Sequence, residues 1–173
     1  MPDVFPDKYY LISDSSTGRM KEHHYKTNLK WTGNTGKGTE SYRGYERSHE
    51  LTVNGKQPIE ASSDPSFRGD HSKYNPEELF LASLSSCHML WFLHCCTVSS
   101  VVVLEYTDTA TATMIETEDG NGKFSEVVLH PHVKVKEGWM LDKIESLHKK
   151  ANAFCFIANS CNFPVKHEGL SYV

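Results

Sequence analysis

At 173 residues with a net charge of −4, the chain has room for one domain around one sizeable core, and it lacks the basic excess of a nucleic-acid binder. No run of eighteen apolar residues occurs. The opening Met1-Pro2-Asp3-Val4-Phe5-Pro6-Asp7 has neither the basic nor the apolar part of a secretory signal, so the expected setting is the cytoplasm, away from membranes. There, five cysteines are expected as thiols, and a disulfide among them would point to chemistry rather than architecture.

Residues 1–23 are polar and irregular and are expected to form an N-terminal extension to a domain spanning 24–173. Residues 24–31 begin to read as strand, and Gly33-Asn34-Thr35-Gly36-Lys37-Gly38 marks a turn. Residues 40–53, with Tyr42, Tyr45, Leu51 and Val53, suit a returning strand. Asn54-Gly55 is a hairpin signal leading to a short strand at 57–61. A long loop, 62–74, precedes a sharply announced helix. Asn75 is an N-cap, Pro76 suits the first helical position, and Glu77 and Glu78 complement the dipole. From there to Leu93 the helix is apolar or small almost all round, which predicts a buried central helix.

Residues 101–116 are rich in Val and Thr and read as a long strand. Asp119-Gly120-Asn121-Gly122 turns it into another, 123–136. A second helix is expected over 138–160, because Leu141, Ile144, Leu147, Ala151 and Phe154 recur every three or four residues. Asn162-Phe163-Pro164 ends it, and a last strand closes the chain. The order strands, helix, two strands, helix, strand predicts an α+β fold with two helices packed on antiparallel sheet.

Two thiols fall in the two apolar helical runs: Cys87 in the first, and Cys155 68 positions later in the second. Peroxide reduction by thiols needs a thiolate, a second thiol to trap the sulfenic acid, and a cation to stabilise developing negative charge. Cys87 and Cys155 can supply the thiols. The helix dipole fades within one turn, and Cys87 lies twelve residues past the cap, so a basic group is required. Arg68 in the preceding loop is the first candidate and Arg47 the second. Glu77 stands about 15 Å along the helix axis from Cys87 and cannot touch it within one straight helix. It can serve the site across a dimer interface or by orienting the arginine.

Plainer readings stand beside this one. Each cysteine can be a small buried hydrophobe, Glu77 and Glu78 simple helix-start charges, and Arg68 a surface residue. A metal site using Cys87, His88, His94 and Cys95 is a further alternative, although the spacing fits no usual zinc signature. Cys95 and Cys96 are expected in the core, and Cys161 beyond the second helix carries no role.

Asn75-Pro76-Glu77-Glu78-Leu79, with Ser86-Cys87 ten positions after Glu77, resembles the OsmC/Ohr family of thiol-dependent hydroperoxide reductases. Trp31, Gly36-Lys37-Gly38-Thr39, Phe67-x-Gly69 and Cys155 fit the same resemblance, which covers roughly residues 24 to 173 and leans towards an OsmC-like branch. It implies an intertwined homodimer, with antiparallel sheets wrapped around two central helices and two active sites at the interface. It further implies Cys87 as peroxidatic and Cys155 as resolving cysteine, Glu77 as the family glutamate, an organic hydroperoxide, with hydrogen peroxide beside it, as substrate, and a dithiol as reductant; the Cys and His spacings match no common zinc or iron site, and no metal or cofactor is expected. The chain departs from the family at the arginine. Ser66 stands where OsmC-type members have it, with Arg68 two positions on, and Lys37 lies in the turn where Ohr-type members carry theirs. Phe156-Ile157 follows Cys155 where members commonly have a proline. The alternative on this fold is a non-catalytic dimeric stress or ligand-binding protein.

Overall fold

The computed structural model describes residues 21–173, so residues 1–20 of the expected extension lie outside the described residues. The Asn54-Gly55 turn forms as expected. Gly55 has a φ of 76° and the Lys56 amide donates to the Val53 carbonyl at 3.0 Å. The turn joins β2 (His49–Thr52) to β3 (Ile59–Ala61), and β1 (Asn28–Trp31) adds on the other side of β2, all antiparallel. The strand expected over 40–53 shrinks to β2 because the residues before it spend their polar groups on local turns. Thr35 donates to the Gly44 carbonyl at 2.6 Å, the Gly36 and Gly38 amides both donate to Asn34 Oδ1, and Arg47 donates to the carbonyls of Tyr42 and Tyr45.

The two long strands expected at 101–116 and 123–136 are each broken in two, and the breaks face each other. The first gives β4 (Val103–Asp108) and β5 (Thr111–Glu116), the second β6 (Gly122–Leu129) and β7 (Pro131–Val135). β4 pairs with β7 and β5 with β6, both antiparallel. Pro131 has no N–H to give the ladder. The Asp108 carboxylate accepts the His130 amide at 2.7 Å instead, and also the Ser85 hydroxyl, which ties the break to the first helix.

The closing strand breaks at the same level, into β8 (Val165–His167) and β9 (Leu170–Tyr172). A Cβ on Gly169 would stand 2.4 Å from the Pro131 carbonyl oxygen, so only glycine allows the strands to bend together there. The antiparallel pairings expected for the sheet form between β1, β2 and β3, between β4 and β7 and between β5 and β6, and two parallel pairings join them: β8 runs parallel to β6, and β9 parallel to β7. The chain reaches them by a helical crossover rather than a hairpin.

α1 (Pro76–Val98) starts with a full capping box. The Glu78 amide donates to Asn75 Oδ1 at 2.8 Å, and the Asn75 amide donates to Glu78 Oε2 at 3.0 Å. It is long and apolar enough to cross a membrane by length and composition, which the absence of an eighteen-residue apolar run did not anticipate. The expectation of a helix buried nearly all round is corrected: one stripe, Leu84, His88, Phe92, Cys95 and Cys96, is buried and bridges both halves of the bent sheet, while Leu90 and Val98 on other faces are exposed. Leu84 meets Val127 and Leu129 of β6, while Phe92, Cys95 and Cys96 meet Val133 and Val135 of β7.

The second helix is shorter than expected. A 3-10 turn at Gly138–Met140 leads into α2 (Leu141–Phe154), which packs Ile144, Leu147 and Ala151 into the Phe92 cluster. Cys155 therefore lies just outside the helix, with extended backbone at φ −67° and ψ 109°. The Asn159 side chain donates to the Ala153 carbonyl at 3.0 Å, satisfying one orphan acceptor of the helix end as the chain turns away.

Candidate active site

The structure brings the two singled-out thiols together. Cys87 is half-buried at mid-α1, and the buried Cys155 thiol lies against it. Burial, then that contact, pushes the Cys155 thiol up to about 11, against the weaker opposing effect of the Ala158 amide, which donates to its sulfur at 3.4 Å. At neutral pH Cys155 is therefore a protonated thiol. That suits the partner that waits for a sulfenic acid better than the group that attacks first.

Aromatic rings flank the pair. Trp91, one turn beyond Cys87, stacks on Phe154 with centroids 5.3 Å apart and meets Phe156 edge-on at 5.6 Å. Phe154 and Phe156 bracket Cys155 in sequence, and both are exposed. The three rings make an apolar wall beside the sulfurs.

Arg68 is held elsewhere in the chain. A 3-10 turn at Pro65–Phe67, capped by Asp64, ends at Arg68 in the left-handed conformation, φ 67°. The next residue must be glycine, because a Cβ on Gly69 would stand 1.5 Å from the Ser63 carbonyl oxygen. Arg68, Arg43 and Arg47 share a cavity of about 520 Å³ whose lining does not include Cys87, Cys155 or Glu77. Arg47 lies over the rings of Tyr42 and Tyr45, 4.4 and 4.2 Å from their centroids, and its donors go to those residues' carbonyls. Among the described residues, Glu77 Oε2 is buried without a hydrogen-bond partner. The chain thus assembles the two thiols and, separately, an arginine cavity and an unmatched carboxylate.

The four residues of the metal alternative do not converge. His88 is buried against His148, His94 is exposed with its ring edge-on to Trp91, and Cys95 lies in the core. Burial raises Cys95, and raises Cys96 to about 12, as befits core thiols. Sequence reading missed the partner of His88. His148 occupies the buried face of α2 among Ile144, Leu147 and Ala151, and its place in that apolar repeat was the available signal.

A family model described as OsmC-like protein matches residues 69–168. No match is found among curated proteins. Among solved structures, an OsmC-like protein of unknown function from Vibrio cholerae is 32% identical, with a TM-score of 0.74 over 87% of this chain and 100% of that one. The organic hydroperoxide resistance protein of Elizabethkingia anophelis is 20% identical, with a TM-score of 0.62 over 87% of this chain and 98% of its own. That of Legionella pneumophila is 22% identical, with a TM-score of 0.61 over 88% and 100%. At those identities the last two share the fold.

Proposed function

This chain belongs to the OsmC-like protein family, and on that premise we propose that it is a thiol-dependent peroxidase that reduces organic hydroperoxides in the cytoplasm. The contact between the half-buried Cys87 and the buried, protonated Cys155 carries this reading. The Cys87 thiolate attacks the terminal peroxide oxygen, the O–O bond breaks, and the alkoxide leaves as the alcohol after taking a proton. Cys87 is left as a sulfenic acid. Cys155 then attacks the Cys87 sulfur, the S–O bond breaks, and hydroxide leaves as water with the Cys155 proton. An external dithiol reduces the disulfide and restores both thiols. The wall of Trp91, Phe154 and Phe156 gives the organic group an apolar seat that hydrogen peroxide cannot use.

In this reading the working unit is a homodimer. The sheet β1–β2–β3 leaves Leu29 and Ile59 exposed, and Glu77 has a buried oxygen with no partner in its own protomer. A second copy would cover the first and bring an arginine, Arg68, to the second and to the thiols. The test is peptide mapping after one equivalent of tert-butyl hydroperoxide. A Cys87–Cys155 cross-link is expected. Unchanged thiols, or linkage chiefly to Cys95, Cys96 or Cys161, would leave the non-catalytic binding protein as the better reading.

A further inference from the structure

Two histidines that this thiol chemistry leaves unused sit between the thiol-bearing helices. His88 follows Cys87 on α1, and His148 lies two turns before Cys155 on α2. They are 1% and 3% exposed, and His88 Nε2 and His148 Nδ1 are 2.9 Å apart. The His148 ring stacks on Phe92 with centroids 3.9 Å apart, and His167 of β8 completes the cluster at 5.3 and 5.7 Å from the other two rings.

A bond between two ring nitrogens needs one N–H and one bare nitrogen. Whichever tautomer forms, one N–H and one bare nitrogen remain on the outer edges of the pair. Those atoms, His88 Nδ1 and His148 Nε2, are both buried without a partner. The pair therefore carries a desolvation cost that two apolar side chains would avoid. What it provides in return is direction. The rest of the α1–α2 contact is largely apolar, through Phe92, Ile144, Leu147 and Ala151, and such contacts tolerate small slides and rotations. A hydrogen bond between two rigid rings does not.

We propose that the His88–His148 hydrogen bond is a positioning element for the thiol pair, fixing the slide and rotation of α1 on α2 so that Cys155 stays within reach of Cys87. The inference rests on reading these two cysteines as a redox pair. Its strength is bounded by what one buried hydrogen bond contributes, which corresponds to about a tenfold change in an equilibrium constant.

The test measures the equilibrium between the Cys87–Cys155 disulfide and the two thiols in reduced and oxidised glutathione mixtures, with the full chain and no peroxide. An asparagine amide reaches the place of a histidine Nδ1, and a glutamine amide the place of Nε2. His148→Asn and His88→Gln therefore keep the bond, whereas His148→Gln and His88→Asn lose it, with polar side chains of similar size in every case. The disulfide equilibrium constant is expected within about twofold of wild type in the first two variants. In the other two it should be about tenfold lower, a shift of about 30 mV. One folded variant of each kind is enough to decide. Equal constants in all variants, constants that follow thermal stability rather than the bond, or a wild type that forms no such disulfide would each overturn the proposal. A wild type that forms the disulfide with glutathione but not with tert-butyl hydroperoxide overturns the peroxidase reading instead and leaves this one standing.

Discussion

Cys155 meets Cys87 from the first residue beyond α2, where the backbone has already turned extended. A disulfide needs the two Cβ atoms within about 3.5–4.5 Å and a dihedral near 90°. A residue outside the helix can meet that geometry by a local backbone turn, without breaking the hydrogen-bond ladder behind it. Cys87 has no such freedom, because it sits in the middle of a 23-residue helix. The protonated sulfur thus sits where the backbone is not bound to helical geometry, and the half-buried sulfur sits within a helix, a division that suits the proposed two-thiol cycle.

Replacing each sulfur separates the two steps. Cys87→Ser should abolish peroxide turnover. Cys155→Ser should permit one oxidation of Cys87 and then stall, with the sulfenic acid advancing to sulfinic acid as peroxide is raised. Intact-mass measurement across a peroxide series reads both outcomes. Continued turnover by Cys155→Ser with a dithiol, at the wild-type rate, would remove Cys155 from the cycle.

The arginine cavity yields a contrast between two neighbours. Arg68 is exposed at the end of its turn, whereas Arg47 has its donors bound to the carbonyls of Tyr42 and Tyr45. Arg68→Ala should slow peroxide reduction by roughly 10²-fold, the loss expected from removing one charge-stabilising donor. Arg47→Ala should chiefly loosen the segment around Tyr42 and Tyr45 and cost less in rate. Stopped-flow rates for the two variants check this, and the reverse order would move the assignment to Arg47.

Glu77 is expected to tie activity to assembly. Its unmatched buried oxygen lies on the first turn of α1, about 15 Å of helix rise from Cys87. Glu77→Gln should slow turnover less than Arg68→Ala, because it would act by holding the arginine rather than by meeting the peroxide. Sedimentation should find the active species dimeric at micromolar concentration. A fully active monomer would overturn the cross-protomer arrangement.

Local signals carried a good part of this fold. The N-cap at Asn75, the Asn54-Gly55 hairpin and the apolar repeat of α2 each announce themselves within a few residues. The common bend of the sheets did not, because it depends on Asp108, Pro131 and Gly169, which meet only after the chain has folded back. That Cys87 and Cys155 stand next to each other was legible from their apolar surroundings and from the family spacing. The departure of Cys155 from helical backbone was not, since the periodicity of α2 continues through Phe154 and hides the turn. The pairing of His88 with His148 was equally hidden, as a polar residue on an apolar face does not reveal its partner 60 positions away.

The bend itself can be tested. Gly169→Ala would force a Cβ against the Pro131 carbonyl, which has no room to yield within the ladder. The substitution should destabilise the protein by about 1–3 kcal/mol. Urea denaturation checks this, and a change within error would mean that the closing strand can shift as a unit.

The buried histidines set the response to acid. Burial takes His88 down to about 4 and His148 down to about 3, from about 6.5 in the unfolded chain. His167 of β8 opposes a charge on either ring, and on His148 so does His88. Asp108 of β4 favours a charge on His88 but is the weakest of its influences. Both rings are thus neutral in the fold at pH values where the unfolded chain already binds protons. Their contribution to stability is whole above about pH 6.5 and is lost as the pH falls through the window down to about 4 and 3. Two protons taken up on unfolding would give a slope of at most ~2.7 kcal/mol per pH unit within that window, before the carboxylates titrate. Urea midpoints measured between about pH 7 and 5 should therefore fall steeply in the wild type. The double variant carrying His88→Gln and His148→Asn removes both titrating rings, so its midpoint should hold nearly level over the same range. A wild type that is level there, or a double variant as steep as the wild type, would mean that the two histidines are not kept neutral by the fold.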